Sequence, residues 1–428
     1  MKQVPHFPQA ILPDDIDKWY FIEDKLKNIM HLYDFREIRT ANIQPKSLYE
    51  KYFDVAGEYG RYTANDMLIT LSDKDDLCLR PDGTISILNS AISKMAVSVP
   101  QKVFYMSEMY RRERETYRQF YQIGATILGS TNIISDVEMI HLSKRLLTSL
   151  GITDFSIEIN SCGDACCNKK YLNALRDYIL SNDELCPVCR ELCEKSPQYI
   201  FKCTTPQCHN IAKMAPIPLD YLCVQCLNNF NDIKRLLSNL GTEFQIKPSL
   251  FIPFQNNTQF VFNISVADNA DKDNSQKITI ISGGRYDQLA TDVTGNTLPA
   301  VGMTLDVDRL TQTMQSKGLY SEKNKDFSVC ICTASKNMEL LIVQIAQEIH
   351  NENINTVICY DNIAVDQINT IAQKRKCSVT LLFIENLIRE GKVMLVTYDQ
   401  NQNVIHQDKI TISGIIENII RIKKSTGK

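Results

Sequence analysis

The apolar positions of this chain alternate between two periods. From Pro13 they recur at Ile16, Trp19, Ile22, Leu26 and Ile29, a spacing that predicts an amphipathic helix to about Tyr33 with acidic residues at its start. Residues 35–40 then read as a strand, and Leu77-Cys-Leu-Arg-Pro-Asp-Gly-Thr84 as a strand entering a turn punctuated by Pro81 and Gly83. Between Phe104 and Gly124 the residues alternate, break at the charged run Arg111-Arg-Glu-Arg-Glu115, and alternate again from Tyr117. Two short strands around a charged turn predict a β-hairpin. On its second strand Arg118, Phe120 and Gln122 share one face, and Gln119, Tyr121 and Ile123 the other. An arginine and a ring on one face offer a cation for a phosphate and a plane for stacking.

Helical spacing returns at Val137, Ile140, Leu142 and Leu146, predicting a helix from Asp136 to about Leu150, followed by a strand over 155–160. Ile278-Thr-Ile-Ile-Ser-Gly-Gly-Arg-Tyr-Asp287 reads as a strand leading into a glycine pair, where backbone can approach a ligand closely. After a polar linker at 321–326, strands at 327–332, 355–360, 379–384 and 392–397 alternate with helices from Met338 to about Glu352 and from Ala364 to about Lys374. That alternation predicts a parallel-type α/β domain.

Composition narrows the function classes. With 428 residues and a net charge of −3, the chain can hold two or three domains and has no global basic field for nucleic acid. It shows neither a membrane-length apolar run nor a signal-like N-terminus. Fifteen cysteines without a secretion signal predict a reducing cytoplasm, with metal binding or free thiols rather than disulfides. Ten of them lie between Cys162 and Cys226. Cys186-x-x-Cys189 and Cys223-x-x-Cys226 have the paired spacing of a tetrahedral zinc site, because two thiolates on one tight turn can take adjacent vertices. Cys203 and Cys208, beside His209, are alternatives to either pair, and buried reduced cysteine acting as a small hydrophobe is the blander reading.

Four stretches in order, Leu79-Arg-Pro-Asp-Gly-Thr84, the 104–124 hairpin, Ile281-Ser-Gly-Gly-Arg-Tyr-Asp287 and Pro299-Ala-Val-Gly-Met-Thr-Leu-Asp-Val-Asp-Arg-Leu310, resemble the motifs of the class II aminoacyl-tRNA synthetases, and within them the histidyl-tRNA synthetase family. The resemblance runs from about Leu12 to the C-terminus. It implies an α+β fold with an antiparallel-sheet catalytic core over 1–160 and 245–320. A cysteine-rich insertion would span 161–244, and an anticodon-binding-like α/β domain 326–428. It also implies a homodimer built on the first helix and strand, ATP with Mg2+, and tRNA as a partner.

The family's site residues carry over to matching positions. Arg111 and Arg309 would serve the chemistry, Arg111 on the α-phosphate and Arg309 on the γ-phosphate, while Glu113 and Phe120 would hold the adenine. Asp82, Thr84, Gln122, Thr126, Arg285 and Tyr286 would line the amino-acid pocket. Where a carboxylate attacks ATP no side chain has to act as a base, so positioning and electrostatics carry the reaction.

Several positions depart from the family pattern. The hairpin turn is shorter by about three residues, Asp82 and Thr126 stand where the family has glutamates, and Ala41 stands where it has a proline. Ile252 stands at the family's arginine, Gln255-Asn-Asn257 at Asp-Tyr-Tyr, Asn263 at a glutamate and Asp306 at a glycine. These changes leave histidine specificity open. They carry two alternatives: a non-catalytic regulator similar to the synthetase-like subunit that partners the catalytic subunit of ATP phosphoribosyltransferase, and a paralogue that activates another small acid.

Overall fold

The computed structural model describes residues 11–50, 68–71, 76–94, 100–112, 118–250, 258–267, 277–320, 327–335, 337–360, 370, 374–399 and 402–425. Glu113, Ile252, Gln255–Asn257, the 321–326 linker and most of the expected helix from Ala364 lie outside them. The chain divides into two compact units, Met1–Tyr320 and Ser321–Lys428.

In the first unit the predicted helix is α1 (Pro13–Leu32), with proline at its first turn and Ile22, Leu26 and Met30 fully buried. Each of those side chains contributes about 1.5–3 kcal/mol by burial. The chain leaves α1 through Asp34 at φ 63°, a left-handed conformation that aspartate tolerates. Next come β1 (Arg36–Glu37), β2 (Ile43–Pro45), β3 (Ile69–Thr70), β4 (Leu77–Leu79) and α2 (Gly83–Lys94). The expected hairpin is β5 (Gln101–Tyr110) and β6 (Gln119–Leu128), paired in unbroken antiparallel register. The backbone N–H of Arg111 donates to the Arg118 carbonyl at 2.8 Å and closes the ladder. After α3 (Ile134–Ser149) and β7 (Phe155–Gly163), four helices fill the cysteine-rich stretch: α4 (Ala165–Leu180), α5 (Pro187–Lys195), α6 (Pro206–Lys213) and α7 (Val224–Asn239). The chain then adds β8 (Gln245–Ile246), β9 (Gln259–Ala267), β10 (Lys277–Arg285), α8 (Asp287–Thr294), β11 (Ala300–Asp306) and α9 (Val307–Ser316).

One eight-stranded sheet organises this unit, in the order β1-β5-β6-β11-β10-β9-β7-β8. Among the described residues, only β1/β5 and β7/β8 of this sheet run parallel, and its other pairs are antiparallel. Its two faces differ in chemistry. One carries Phe104, Ile123, Ile157, Phe262 and Leu305 into a large core with α1, α3, α7 and α9, where Trp19 meets Tyr121 edge-on at 5.2 Å. The other is apolar at one end, where Tyr105, Met109 and Phe120 pack with Ile85, Leu88 and Leu289, and again around Cys162, Leu250 and Val261. Between these two patches it is polar.

The second unit holds β12 (Ser328–Thr333), α10 (Glu339–Asn351), β13 (Asn355–Ile358), β14 (Val379–Phe383), α11 (Glu385–Arg389), β15 (Lys392–Tyr398), β16 (Val404–Thr411) and α12 (Ile415–Ser425). Its sheet runs β13-β12-β14-β15-β16. The expectation of a parallel-type sheet holds for β13, β12 and β14 alone; β14/β15 and β15/β16 are antiparallel. Parallel neighbours need a crossover of a dozen or more residues. The stretches after Phe383 and Tyr398 are shorter than that. β16, mostly exposed, was not expected from its polar sequence.

Candidate active site on the polar sheet face

Cross-strand neighbours share a face, so the register lists what lies on the polar side. One row across the sheet is Ser107, Gln122 and Asp306. The next is Tyr105, Gly124, Thr304, Ser282, Asn263 and Glu158. A third contains Thr126, Gly302 and Gly284. Small and polar side chains leave this floor open to a polar ligand.

The turn before α2 forms one wall. Arg80 is buried and donates to the Glu108 carbonyl at 3.0 Å and to the Thr40 carbonyl at 2.8 Å, which fixes the turn to β5. Asp82 does not extend into the pocket. Its Oδ1 accepts the Thr84 backbone N–H at 2.8 Å, capping the start of α2, and its Oδ2 faces Arg111 at 3.8 Å. Arg111 in turn donates through Nε to the Pro81 carbonyl at 2.9 Å and lies over the Phe120 ring, 5.0 Å from its centroid. A planar cation stacked on an aromatic face is held in orientation while keeping charge for an anion.

Farther in, hydroxyls take over. The Tyr105 hydroxyl donates to Gln122 Oε1 at 2.7 Å. Its ring is clamped between Gly83 and Gly124: a Cβ at either glycine would fall 2.2 or 2.3 Å from a ring carbon. Thr126 Oγ1 and the Tyr286 hydroxyl share a hydrogen bond of 2.8 Å. Burial pushes both tyrosine hydroxyls far above the ordinary phenol range, so they stay neutral.

Arg285 requires a correction. It was expected in the amino-acid pocket, but Nε and Nη2 grip the Asp136 carboxylate at 3.1 and 2.6 Å, and Nη2 also donates to Ser135 Oγ at 3.0 Å. Nη1 donates to the Ser130 carbonyl at 2.8 Å and to Asp287 at 3.4 Å. These bonds occupy the five donors of a guanidinium, and both Arg285 and Asp136 are at most 2% exposed. Arg285 anchors the end of β10 to α3 and leaves its neighbour Tyr286 to face the pocket. The sequence reading missed Asp136 as its partner, having taken it as an ordinary helix start.

At the opposite edge Asp306 caps α9 by accepting the Arg309 backbone N–H at 3.1 Å. Arg309 itself is 47% exposed, donates to the Thr279 carbonyl at 3.2 Å and lies 3.7 Å from Asp306. Asp306 is the strand partner of Gln122, so Arg309 borders the same floor.

The cysteine-rich stretch also differs from the expected ligand set. Cys186 and Cys189 do not meet Cys223 and Cys226 in one four-thiol site. Instead Cys186, Cys189, Cys203 and Cys208 converge with all sulfurs within 4.8 Å, and Asp164, Cys167, Cys223 and Cys226 form a second group of the same tightness. C-x-x-C spacing is local, whereas the choice of partner pair depends on how the four helices fold back. Cys186 caps α5, and the Cys189 backbone N–H donating to its sulfur at 3.3 Å is the main reason its thiol is lowered to about 7. The donor chemistry suits zinc: a Zn–S bond of ~2.3 Å requires sulfurs ~3.8 Å apart, and Cys186 and Cys203 stand at 3.9 Å.

Residues 11–164 match the family Histidyl-tRNA synthetase. A histidine–tRNA ligase of Clostridium perfringens is 31% identical over 394 residues, covering 90% of this chain and 92% of that protein. One from Caldicellulosiruptor saccharolyticus is 28% identical over 425 residues, covering 97% and 98%. Among solved structures, apo S. aureus histidyl-tRNA synthetase superposes with a TM-score of 0.77 at 22% identity, over 98% of this chain and all of the other. A Bacillus halodurans protein described as an ATP phosphoribosyltransferase regulatory subunit/histidyl-tRNA synthetase gives 0.61 at 17% identity, over 90% and 98%. On these full-length relationships, the chain belongs to the histidyl-tRNA synthetase family.

Proposed function

We propose that this protein activates an amino acid or closely related small acid with ATP, forming an acyl-adenylate on the polar sheet face, and passes it to tRNA. The observation that carries this is Arg111, stacked on Phe120 beside Asp82 at the edge of an open polar floor. Arg111 would hold the α-phosphate, where planar donors can follow charge developing on the transferring group. Arg309, half exposed across the floor, would take the γ-phosphate, and Phe120 with Glu113 the adenine. Magnesium would accompany ATP and offset its charge.

The acid-binding half is chemically plainer than the nucleotide half. Thr126 and Tyr286 satisfy each other, Asp82 is committed to capping α2, and Gln122 is held by Tyr105. The pocket therefore favours a small, weakly charged side chain over a cationic one, and histidine is not assigned as the substrate. The same self-satisfied pocket supports a second reading, a regulatory partner of the catalytic subunit of ATP phosphoribosyltransferase.

Two accompanying features belong to this reading. A homodimer would form on α1 and the edge strand β1, where Leu12, Tyr20 and Leu32 are 59%, 50% and 70% exposed. A structural zinc would be held by Cys186, Cys189, Cys203 and Cys208 and would fasten the insertion. Among the described residues no helix is long and apolar enough to cross a membrane. ATP–pyrophosphate exchange with histidine and a panel of small acids tests the activity. Exchange with one acid names the substrate, and no exchange with any acid by the folded dimer overturns the enzyme reading in favour of the regulator.

A further inference from the structure

The second unit contains a thiol cluster that the proposed chemistry does not use. Cys330 and Cys332 are two apart on β12, so both project from one face, while Val329 and Ile331 project from the other into the core under α10 and α12. Cys359 follows β13, and its backbone N–H donates to the Ile331 carbonyl at 2.9 Å, which sets it beside Cys332. The three sulfurs lie 3.4 Å (Cys330–Cys332), 3.7 Å (Cys330–Cys359) and 3.1 Å (Cys332–Cys359) apart. Cys377, just before β14, belongs to the same buried group, its sulfur standing outside the tight cluster of three.

Hydrophobic packing alone does not account for this arrangement. Cysteine as a small hydrophobe has no reason to turn its sulfur toward other sulfurs, and the opposite face of β12 meets its packing needs with valine and isoleucine. Here thiols from three separate stretches of chain converge, in surroundings dried by Leu382, Val357 and Met394. Soft thiolates in a dry shell select borderline or soft d10 ions such as zinc. Tetrahedral zinc requires sulfurs ~3.8 Å apart, so Cys330, Cys332 and Cys359 close on the metal with shifts of well under an ångström, and Cys377, outside that tight group, turns its sulfur in as the fourth ligand.

We infer that Cys330, Cys332, Cys359 and Cys377 form a zinc site in the second unit, independent of the insertion cysteines. Cys330, Cys332 and Cys377 are 0% exposed, and Cys359 alone is partly open, which gives the ion its route from solvent. Four thiolates around Zn2+ leave a net charge of −2, and the Arg375 guanidinium, which acts electrostatically on both Cys359 and Cys377, offsets part of it. The site would tie β12, the end of β13 and the start of β14 together on the face opposite α10 and α12.

The test is zinc content of the full chain by mass spectrometry, together with a thiol count in denaturant without reductant. Cys359→Ser and the packing-conservative Cys330→Val should each lower bound zinc by about one equivalent per chain relative to the parent. Cys203→Ser in the insertion should leave that equivalent in place. Chelation should lower the parent's melting temperature by more than it lowers that of Cys330→Val, which keeps only the insertion zinc to lose. Parent-like zinc content in both variants overturns the proposal. So does a parent with two of its fifteen thiols missing from the count, which would mark a Cys332–Cys359 disulfide instead.

Discussion

Thr126 and Tyr286 meet hydroxyl to hydroxyl at 2.8 Å although 160 residues separate them. The bond spans the polar floor from β6 to the end of β10 and leaves no carboxylate at that point. Replacing Tyr286 by Phe strands the buried Thr126 hydroxyl and should cost about 1 kcal/mol in urea unfolding. Thr126→Val and the double variant should give a coupling of similar size, and a coupling near zero would show that the bond contributes nothing. Thr126→Glu introduces a carboxylate facing the substrate's ammonium. It should lower the KM for an amino acid in pyrophosphate exchange by about tenfold, equivalent to ~1.4 kcal/mol.

The Arg285–Asp136 pair sets the frame behind that bond. Burial pushes the Asp136 carboxyl upward, against the opposing pull of the Arg285 charge. Asp136→Ala leaves a buried guanidinium without its main partner and should destabilise by about 3–5 kcal/mol. Arg285→Met with Asp136→Leu removes both charges and should recover most of the loss. If the single and double variants unfold at the same urea concentration, the pair is not holding β10 to α3.

Legibility in the sequence followed distance along the chain. The first helix, the hairpin and its two faces were readable because periodicity within ten or twenty residues dictates them, and Phe120, Gln122 and Tyr121 lie on the sides that alternation assigned. Motif order brought Arg111 and Arg309 forward as candidates, and the fold sets both at the margin of the polar floor. Arg285 was misplaced because its partner is 149 residues away and Asp136 looks like any acidic helix start. The cysteine pairs were mismatched for the same reason, since two C-x-x-C turns look alike until helices choose which meet. Tyr105 was passed over although glycines at 83 and 124 were its trace in the sequence.

A smaller ion pair gives a pH dependence of definite sign. Lys317, just past α9, donates to Asp154 at 2.5 Å in the turn before β7, and this hydrogen bond holds the Asp154 carboxyl below its ordinary value. A depressed folded value means the stabilisation is complete above the unfolded carboxylate range and fades as pH falls through the folded value. Asp154 is 61% exposed, so screening limits the effect to below ~1 kcal/mol. Asp154→Asn should therefore match the parent's stability near pH 2 and fall slightly below it at pH 7. A constant difference across that range would assign the effect to packing.

Gly83 and Gly124 enclose the Tyr105 ring so closely that either Cβ must displace it. Gly124→Ala should cost about 1–3 kcal/mol through overpacking. It should also raise the KM for the acid, because moving Tyr105 releases Gln122. In a Tyr105→Ala background, where the ring is gone, Gly124→Ala should cost no further stability, while the KM stays raised. A parent-like KM in that background would place Tyr105 outside the pocket's machinery.

Arg111 separates the two readings of the site most directly. Its Nε bond to Pro81, its stack on Phe120 and its 3.8 Å approach to Asp82 all depend on a planar guanidinium. Lysine keeps the charge but loses the plane and the fork of donors. If the group stabilises charge on a transferring phosphate, Arg111→Lys should lower the kcat of pyrophosphate exchange by about 10²-fold, as removal of one preorganised donor does elsewhere. Stability should change little, because the residue lies at the site's edge. Arg309→Lys, half exposed and bonded to one carbonyl, should instead act mainly on the KM for ATP. Equal, small effects from the two substitutions would mean that neither arginine meets a phosphate, and the stacked cation on Phe120 would then be a structural clasp of the hairpin.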